Sequence, residues 1–227
     1  MPETDVAEIT GVYLFSDTDR KLLARYELVA ESIARIFGSG CEVVLHSLED
    51  MAHSVVRIFN GQVTGRALGS PITDLGLDVL KKSFETRNDI IGPYFSKTKA
   101  GKPLKSVTTL IRNDEGTPIG FLCINFDLSM PLSHFLQEFS PSNEAPQTGE
   151  NFAPDVTDLV GHAVADELDA ISRVTGVSPT EKNRRVIFNL EQRGVFEIKG
   201  SVELVAGELG VTKHTVYKYL REFRSQN

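Results

Sequence analysis

The sequence predicts an α+β protein in two parts: an antiparallel sheet with helices packed on one face, followed by a separate all-α domain built on a helix-turn-helix. Three observations carry that prediction. Over the first 140 residues the patterns run helix, two or three strands, helices, two strands, with short turn signals between successive strands, an order that leaves neighbouring strands antiparallel. Residues 140–154 then turn to Ser, Asn, Gln, Thr and Gly punctuated by Pro141, Pro146 and Pro154, too polar to build a core. Beyond them the apolar residues recur at helical spacing to the end of the chain.

Residues 1–19 have no sustained period and many Asp, Thr and Glu, and read as a flexible N-terminal arm. From 20 to 37, Leu22, Leu23, Tyr26, Val29, Ile33, Ile36 and Phe37 form the apolar stripe of a long helix ended by Gly38-Ser39-Gly40. Residues 41–48 and 54–59 are β-branched, apolar strands. Asn60-Gly61 marks a tight hairpin, because both residues tolerate positive φ, and residues 62–65 are expected to run back as a strand. Ser70-Pro71 opens a helical stretch to about Thr86. A loop is expected through Gly92-Pro93-Tyr94-Phe95 and the lysines Lys97, Lys99 and Lys102. Residues 105–112 and 119–127 form a hairpin around Asn113-Asp114-Glu115-Gly116, and 131–139 a short helix. With 140–155 as linker, the domains are 20–139 and 156–227.

In the second domain, 156–174 is a helix whose stripe either packs on the helix-turn-helix or pairs with its copy in a second subunit, the latter favoured. Thr180 is expected to cap a helix over 181–192 that Gly194 ends. Val202, Val205, Ala206 and Leu209 then define a helix that Gly210 stops, Val211 fills the corner, and Thr212 caps a second helix burying Val216, Tyr219, Leu220 and Phe223. Ala206 is small where the two helices cross. This is the grammar of a DNA-binding helix-turn-helix, and Lys213, His214, Tyr217, Lys218 and Arg221 are left on the outer, donor-rich face.

The net charge of −7 conceals an asymmetry. Residues 181–227 hold 9 Lys and Arg against 6 Asp and Glu, a surplus of +3, whereas residues 1–180 hold 15 against 25. A basic tail on an acidic body favours one docking face for a polyanion. No apolar run approaches membrane-spanning length and the acidic start carries no export segment, so a cytoplasmic protein with no membrane partner is expected. Cys41 and Cys123 lie in apolar strands and read as free thiols.

Cys41-Glu42-Val43-Val44-Leu45-His46 and Ile119-Gly120-Phe121-Leu122-Cys123-Ile124-Asn125-Phe126-Asp127 resemble the YheO-like PAS domain. The tail from about Asp155 resembles the helix-turn-helix domain found with it in YheO- and DauR-like bacterial transcriptional regulators. The resemblance implies a PAS-type sensor joined to a domain that binds double-stranded operator DNA. Some relatives are similar to repressors of amino-acid catabolism genes, which implies a small-molecule effector of that kind.

In the recognition helix, Lys213, His214 and Tyr217 lie near the entering end, within reach of base edges or phosphates, while Lys218 and Arg221 suit phosphate and Thr212 both caps and donates. A PAS-like sheet cups a cavity, and Phe121, Cys123 and Asn125 share one face of its last strand. Asn125 there either satisfies neighbouring backbone groups or presents its amide to a ligand. Tyr94, His46, Arg66, Ser106 and Thr108 are further ligand candidates. His46, Asp50 and His53 are the acid-base cluster an enzyme would use, but no nucleophile motif, phosphate loop, metal-ligand spacing, haem or flavin motif accompanies them. The expected protein is a repressor that forms a homodimer or a higher homo-oligomer, rather than an enzyme. In a second reading the first domain serves only for dimerisation or partner docking.

Overall fold

The computed structural model describes residues 14–83, 88–141, 150–173, 176 and 178–225. They fall into two compact units that divide between residues 143 and 144.

The first unit opens with α1 (Asp17–Phe37). Ser16 caps it reciprocally with Asp19: the Asp19 amide donates to the Ser16 hydroxyl at 3.1 Å and the Ser16 amide to the Asp19 carboxylate at 2.9 Å. Phe15 is buried just before it. Residues 14–19 therefore begin the fold instead of belonging to an arm, whose remainder lies outside the described residues. The sheet comprises β1 (Cys41–Ser47), β2 (Val55–Phe59), β3 (Ile90–Lys97), β4 (Pro103–Arg112) and β5 (Pro118–Asp127), in the order β2-β1-β5-β4-β3 and antiparallel throughout. β1 is buried at every residue, since it has a strand on each side and a covered face above and below. The other helices of this unit are α2 (Asp74–Ser83) and α3 (Leu132–Glu138).

Helices cover both faces of the sheet, not one. A Cβ built on Gly120 would lie 2.6 Å from Leu23 Cδ1, which puts α1 on the face of the even-numbered residues of β5. Phe121, Cys123 and Asn125 point the other way, toward Ile72, Thr73 and Gly76 at the start of α2. α3 closes one end through Phe135, stacked 4.5 Å from Phe139 and edge-on to Phe126 at 6.1 Å.

Three further expectations in this unit change. Residues 62–65 are a turn, not a returning strand: Asn60 has φ 55°, but the Val63 amide returns to the Asn60 carbonyl at 3.0 Å and the Gly65 amide to Gly61 at 2.8 Å. The Asn60 amide side chain anchors this turn on the carbonyls of Gly38 and Cys41. Residues 90–97, expected as a loop, form the edge strand β3, and Gly92-Pro93 sits where its register with β4 shifts, so the missing proline donor interrupts the ladder without ending it. The helix expected from Ser70 begins only at Asp74, and residues 84–86 lie outside the described residues.

The second unit contains α4 (Val156–Ser172), α5 (Pro179–Gln192), α6 (Ser201–Glu208) and α7 (Lys213–Arg224). Val160, Ala163, Val164 and Ile171 of α4 share one buried cluster with Val186, Ile187 and Leu190, Val205 and Ala206, and Val216 and Leu220. Those α4 residues are therefore buried inside their own unit, against α5 and α6, while Leu159 of the same stripe is exposed. Ser178, rather than Thr180, caps α5: its hydroxyl accepts the Glu181 amide at 3.3 Å, and Pro179 takes the first helical position, where no amide is needed. Most of the expected linker, 142–149, lies outside the described residues.

Candidate nucleic-acid interface and ligand cavity

The corner between α6 and α7 is built by backbone hydrogen bonds around one glycine. Gly210 has φ +64°; its amide donates to Gly207 O at 3.1 Å and the Val211 amide to Ala206 O at 2.9 Å, the paired closure that satisfies the last carbonyls of a helix. The chain then restarts at Thr212, whose hydroxyl accepts the Thr215 amide at 3.2 Å. Val216 and Leu220 are buried, Tyr219 and Phe223 half-buried, and Phe223 lies 4.6 Å from Phe188 with the Arg184 guanidinium over its ring.

That packing leaves Thr212, Lys213, His214, Tyr217, Lys218 and Arg221 exposed on one side of α7. Lys213 is held by Glu203 of α6, Nζ to Oε1 at 2.7 Å, and the same lysine draws the Glu203 carboxyl below its ordinary pKa. Arg221 Nε donates to the Tyr217 carbonyl at 3.3 Å. Among the described residues, His214 and Lys218 have no hydrogen-bond or ion-pair partner within this unit, so both present free polar ends. A cleft of about 280 Å³ lies alongside, lined by Lys199, Tyr217, Arg221 and Arg224 with Glu197 and Glu203. Lys199 and Arg224 were not among the sequence candidates; Arg224 continues the helical spacing of Tyr217 and Arg221, a signal that was present but unused.

In the first unit a cavity of about 50 Å³ opens between the sheet and the segment that leads into α2. His46, Arg66, Tyr94, Thr108, Cys123 and Asn125 all line it. Ser106 stands one step behind, its hydroxyl donating to Asn125 Oδ1 at 2.8 Å. The strand registers produce this convergence: Ser106 and Thr108 on β4 face Asn125 and Cys123 on β5, and Glu42 on β1 faces Asn125 from the other side.

Glu42 is the residue that sequence reading missed. It is fully buried, and its carboxylate is divided between Asn125, which donates Nδ2 to Oε1 at 2.9 Å, and Thr64, which donates its amide at 3.2 Å and its hydroxyl at 2.6 Å to Oε2. Asn125 thus satisfies neither backbone groups nor, with its bonded atoms, a ligand: it links two side chains. Burial pushes the Glu42 carboxyl above its usual value, opposed by those donors. The Tyr94 hydroxyl lies 2.9 Å from Thr108 Oγ1, which in turn donates to Cys123 Sγ at 3.5 Å. Burial raises the Cys123 thiol to about 11 and lowers His46 to about 4, with Arg66 pushing His46 further in the same direction. At neutral pH both are uncharged, and His46 Nδ1 lies 2.8 Å from Ser54 Oγ.

The acid-base cluster does not assemble. His53 pairs with Asp50 at 2.9 Å on the surface, while His46 is buried against Ser54. Among the described residues no group of three His, Cys, Asp or Glu is arranged to hold a metal ion, and no helix is long and apolar enough to cross a membrane. Both cysteines are free thiols.

Comparison with known proteins places these two sites in context. The profile of the YheO-like PAS domain matches residues 16–141, and that of an HTH domain matches residues 163–221. The uncharacterized protein YheO of Escherichia coli (strain K12) is 41% identical over 225 residues, spanning 98% of this chain and 93% of that protein. An uncharacterized protein of Haemophilus influenzae is 38% identical over 94% of this chain and 96% of its own length. The transcriptional regulator DauR of Pseudomonas aeruginosa is 30% identical over 89% of this chain and 94% of its own.

Proposed function

We propose that this chain, which belongs to the family of proteins that join a YheO-like PAS domain to a helix-turn-helix domain, is a transcriptional regulator that binds double-stranded operator DNA. The observation that carries the reading is the face of α7: a helix fixed by the Gly210 corner presents Lys213, His214, Lys218 and Arg221 outward, the side-chain chemistry that meets phosphates and base edges in a major groove. DauR, similar over most of both chains, is a transcriptional regulator. The protein acts in the cytoplasm as a homodimer and a repressor. Two recognition helices reach half-sites about one DNA turn apart (~34 Å), and a small metabolite in the cavity of the PAS domain changes their arrangement. The reading is of a regulator and not of an enzyme, and it is supported by the separation of the acid-base candidates: His46 is buried against Ser54, while His53 pairs with Asp50 at the surface.

Genomic footprinting of the protein in its host, repeated with Lys213, Tyr217 and Lys218 changed together to Ala, tests the reading. Discrete palindromic sites that vanish in the triple variant are expected; a wild-type protein with no enriched sites would sink it. The second reading, a first domain used only for dimerisation or docking, is favoured by the exposed apolar side chains Leu28 and Ile36 of α1 and Leu132 and Leu136 of α3. An operator affinity that no metabolite alters would select it.

A further inference from the structure

We propose that residues 61–68 form a strap over the cavity of the PAS domain, latched by Thr64 on the buried Glu42 carboxylate, and that release of this latch opens the cavity. The inference rests on the sensor reading only for what enters; the movement itself needs no effector.

As it stands, a cavity of about 50 Å³ is room for a few waters at about 10–15 Å³ each, and a metabolite needs more. Its two walls differ in how far they can yield. One is the sheet, where His46, Thr108, Cys123 and Asn125 stand on strands paired along β1, β4 and β5. The other includes Arg66 and Ile72, on chain that has no helix or strand between Phe59 and Asp74.

The strap hangs between two fixed points. Before it, the Asn60 side chain donates to the carbonyls of Gly38 and Cys41 at 2.9 and 2.8 Å; after it, Gly69 and Ser70 pair with Val55 at 2.9 and 3.0 Å. Between these points Val63 is buried, but Leu68 is 59% exposed and Gln62 reaches the Ser39 carbonyl at the surface. Among the described residues, the remaining hydrogen bonds from the strap to the sheet are those of Thr64, whose amide and hydroxyl both donate to Glu42 Oε2.

A carboxylate makes this latch reversible. Closed, Thr64 supplies two of the three donors that satisfy the buried Glu42; open, water supplies them and the charge regains its hydration. An apolar latch would have no such second partner. Gly65 and Gly69, at φ +78° and +76° with nothing within 4 Å of an added Cβ, let the chain turn on either side of Arg66. Release withdraws Arg66 from the cavity wall. Asn125, which donates to the other Glu42 oxygen, ties the latch to the cavity lining.

The two cysteines provide the test. Cys123 lines the cavity, whereas Cys41 lies on the opposite face of the sheet, clustered with Leu23 and Ala34 of α1. Burial raises both thiols to about 11, so their labelling rates compare access and not acidity. The purified full chain, without DNA, is labelled with N-ethylmaleimide and each cysteine is followed by mass spectrometry. Thr64→Val keeps the amide and loses one hydrogen bond to a charged group, and is expected to speed labelling of Cys123 at least about tenfold while Cys41 stays within about twofold. Thr64→Ser, which retains the hydroxyl, labels as wild type. Hydrogen exchange of the wild type stands in if Thr64→Val fails to fold: the amides of Val63, Thr64 and Gly65 exchange together, at least about tenfold faster than those of Val43, Val44 and Leu45 on β1. Unchanged Cys123 labelling in Thr64→Val, an equal rise at Cys41, Thr64→Ser as fast as Thr64→Val, or strap amides that exchange only with β1 overturns the proposal. Access to Cys123 that depends on Thr64, with an operator affinity that no metabolite alters, supports the strap and counts against the sensor reading alone.

Discussion

Lys213 Nζ sits 2.7 Å from Glu203 Oε1, so the first cation of the recognition helix is held by a carboxylate of the helix before it. Both side chains are about half exposed, so the pair itself adds little to stability. Its effect falls on DNA: a phosphate or base edge must take Lys213 away from Glu203, and the freed carboxylate then stands beside the polyanion. Glu203→Gln is expected to tighten operator binding about three- to tenfold and to steepen the dependence of log K on log salt, measured by fluorescence anisotropy across a salt series. Binding weakened by this change would instead make Glu203 a residue that positions Lys213.

Lys218 has no such restraint. Lys218→Ala is expected to weaken operator and unrelated DNA to a similar degree and to reduce the salt slope by about 0.9, the loss of one phosphate contact. A selective loss on the operator, with the slope unchanged, would move Lys218 to base recognition.

The helix-turn-helix was legible because each of its constraints is local. Gly210, Thr212 and the spacing of Val216 and Leu220 act within one or two turns of chain, and period and turn chemistry report them directly. β3 was hidden for the opposite reason. As an edge strand it pairs only with β4, leaves Ile90 and Phe95 exposed, and so lacks the alternation of a half-buried strand, while Gly92-Pro93 reads locally as a break. Glu42 was hidden by distance. What makes its burial tolerable is Thr64, 22 residues away, and Asn125, 83 away, and neither leaves a mark on the sequence around residue 42. The cavity candidates came from the strand period, but which of them would meet depended on a register between β1, β4 and β5 that no local pattern encodes.

Two glycines separate backbone strain from steric exclusion. At Gly210 an added Cβ would meet nothing within 4 Å, so Gly210→Ala carries only the left-handed backbone penalty, about 1–2 kcal/mol. At Gly120 the same atom would strike the His46 carbonyl on β1 and Leu23 on α1, wedging a strand pair and a helix apart. Gly120→Ala is expected to cost about 3 kcal/mol or more. Urea unfolding of the two variants should rank them in that order, and equal losses would mean the sheet relaxes around residue 120.

His46 gives the PAS domain a calculable dependence on acid. Its folded pKa, held at about 4 by burial, lies below its ordinary value of 6.5, so the unfolded chain binds more protons between those pH values. Stability from this group is complete above pH 6.5 and falls as pH drops toward 4, by up to about 3 kcal/mol for a shift of this size. Glu42 acts in the opposite sense. Its raised carboxyl adds stability below its unfolded value and loses it as pH rises through the folded one, so the native protein shows only part of the His46 decline. His46→Gln removes one titration and leaves the other. The difference in unfolding free energy between wild type and His46→Gln is therefore expected to shift against the wild type as pH falls from 6.5 to 4, measured by urea unfolding at each pH. A difference constant over that range would mean that His46 gains its proton without leaving the fold.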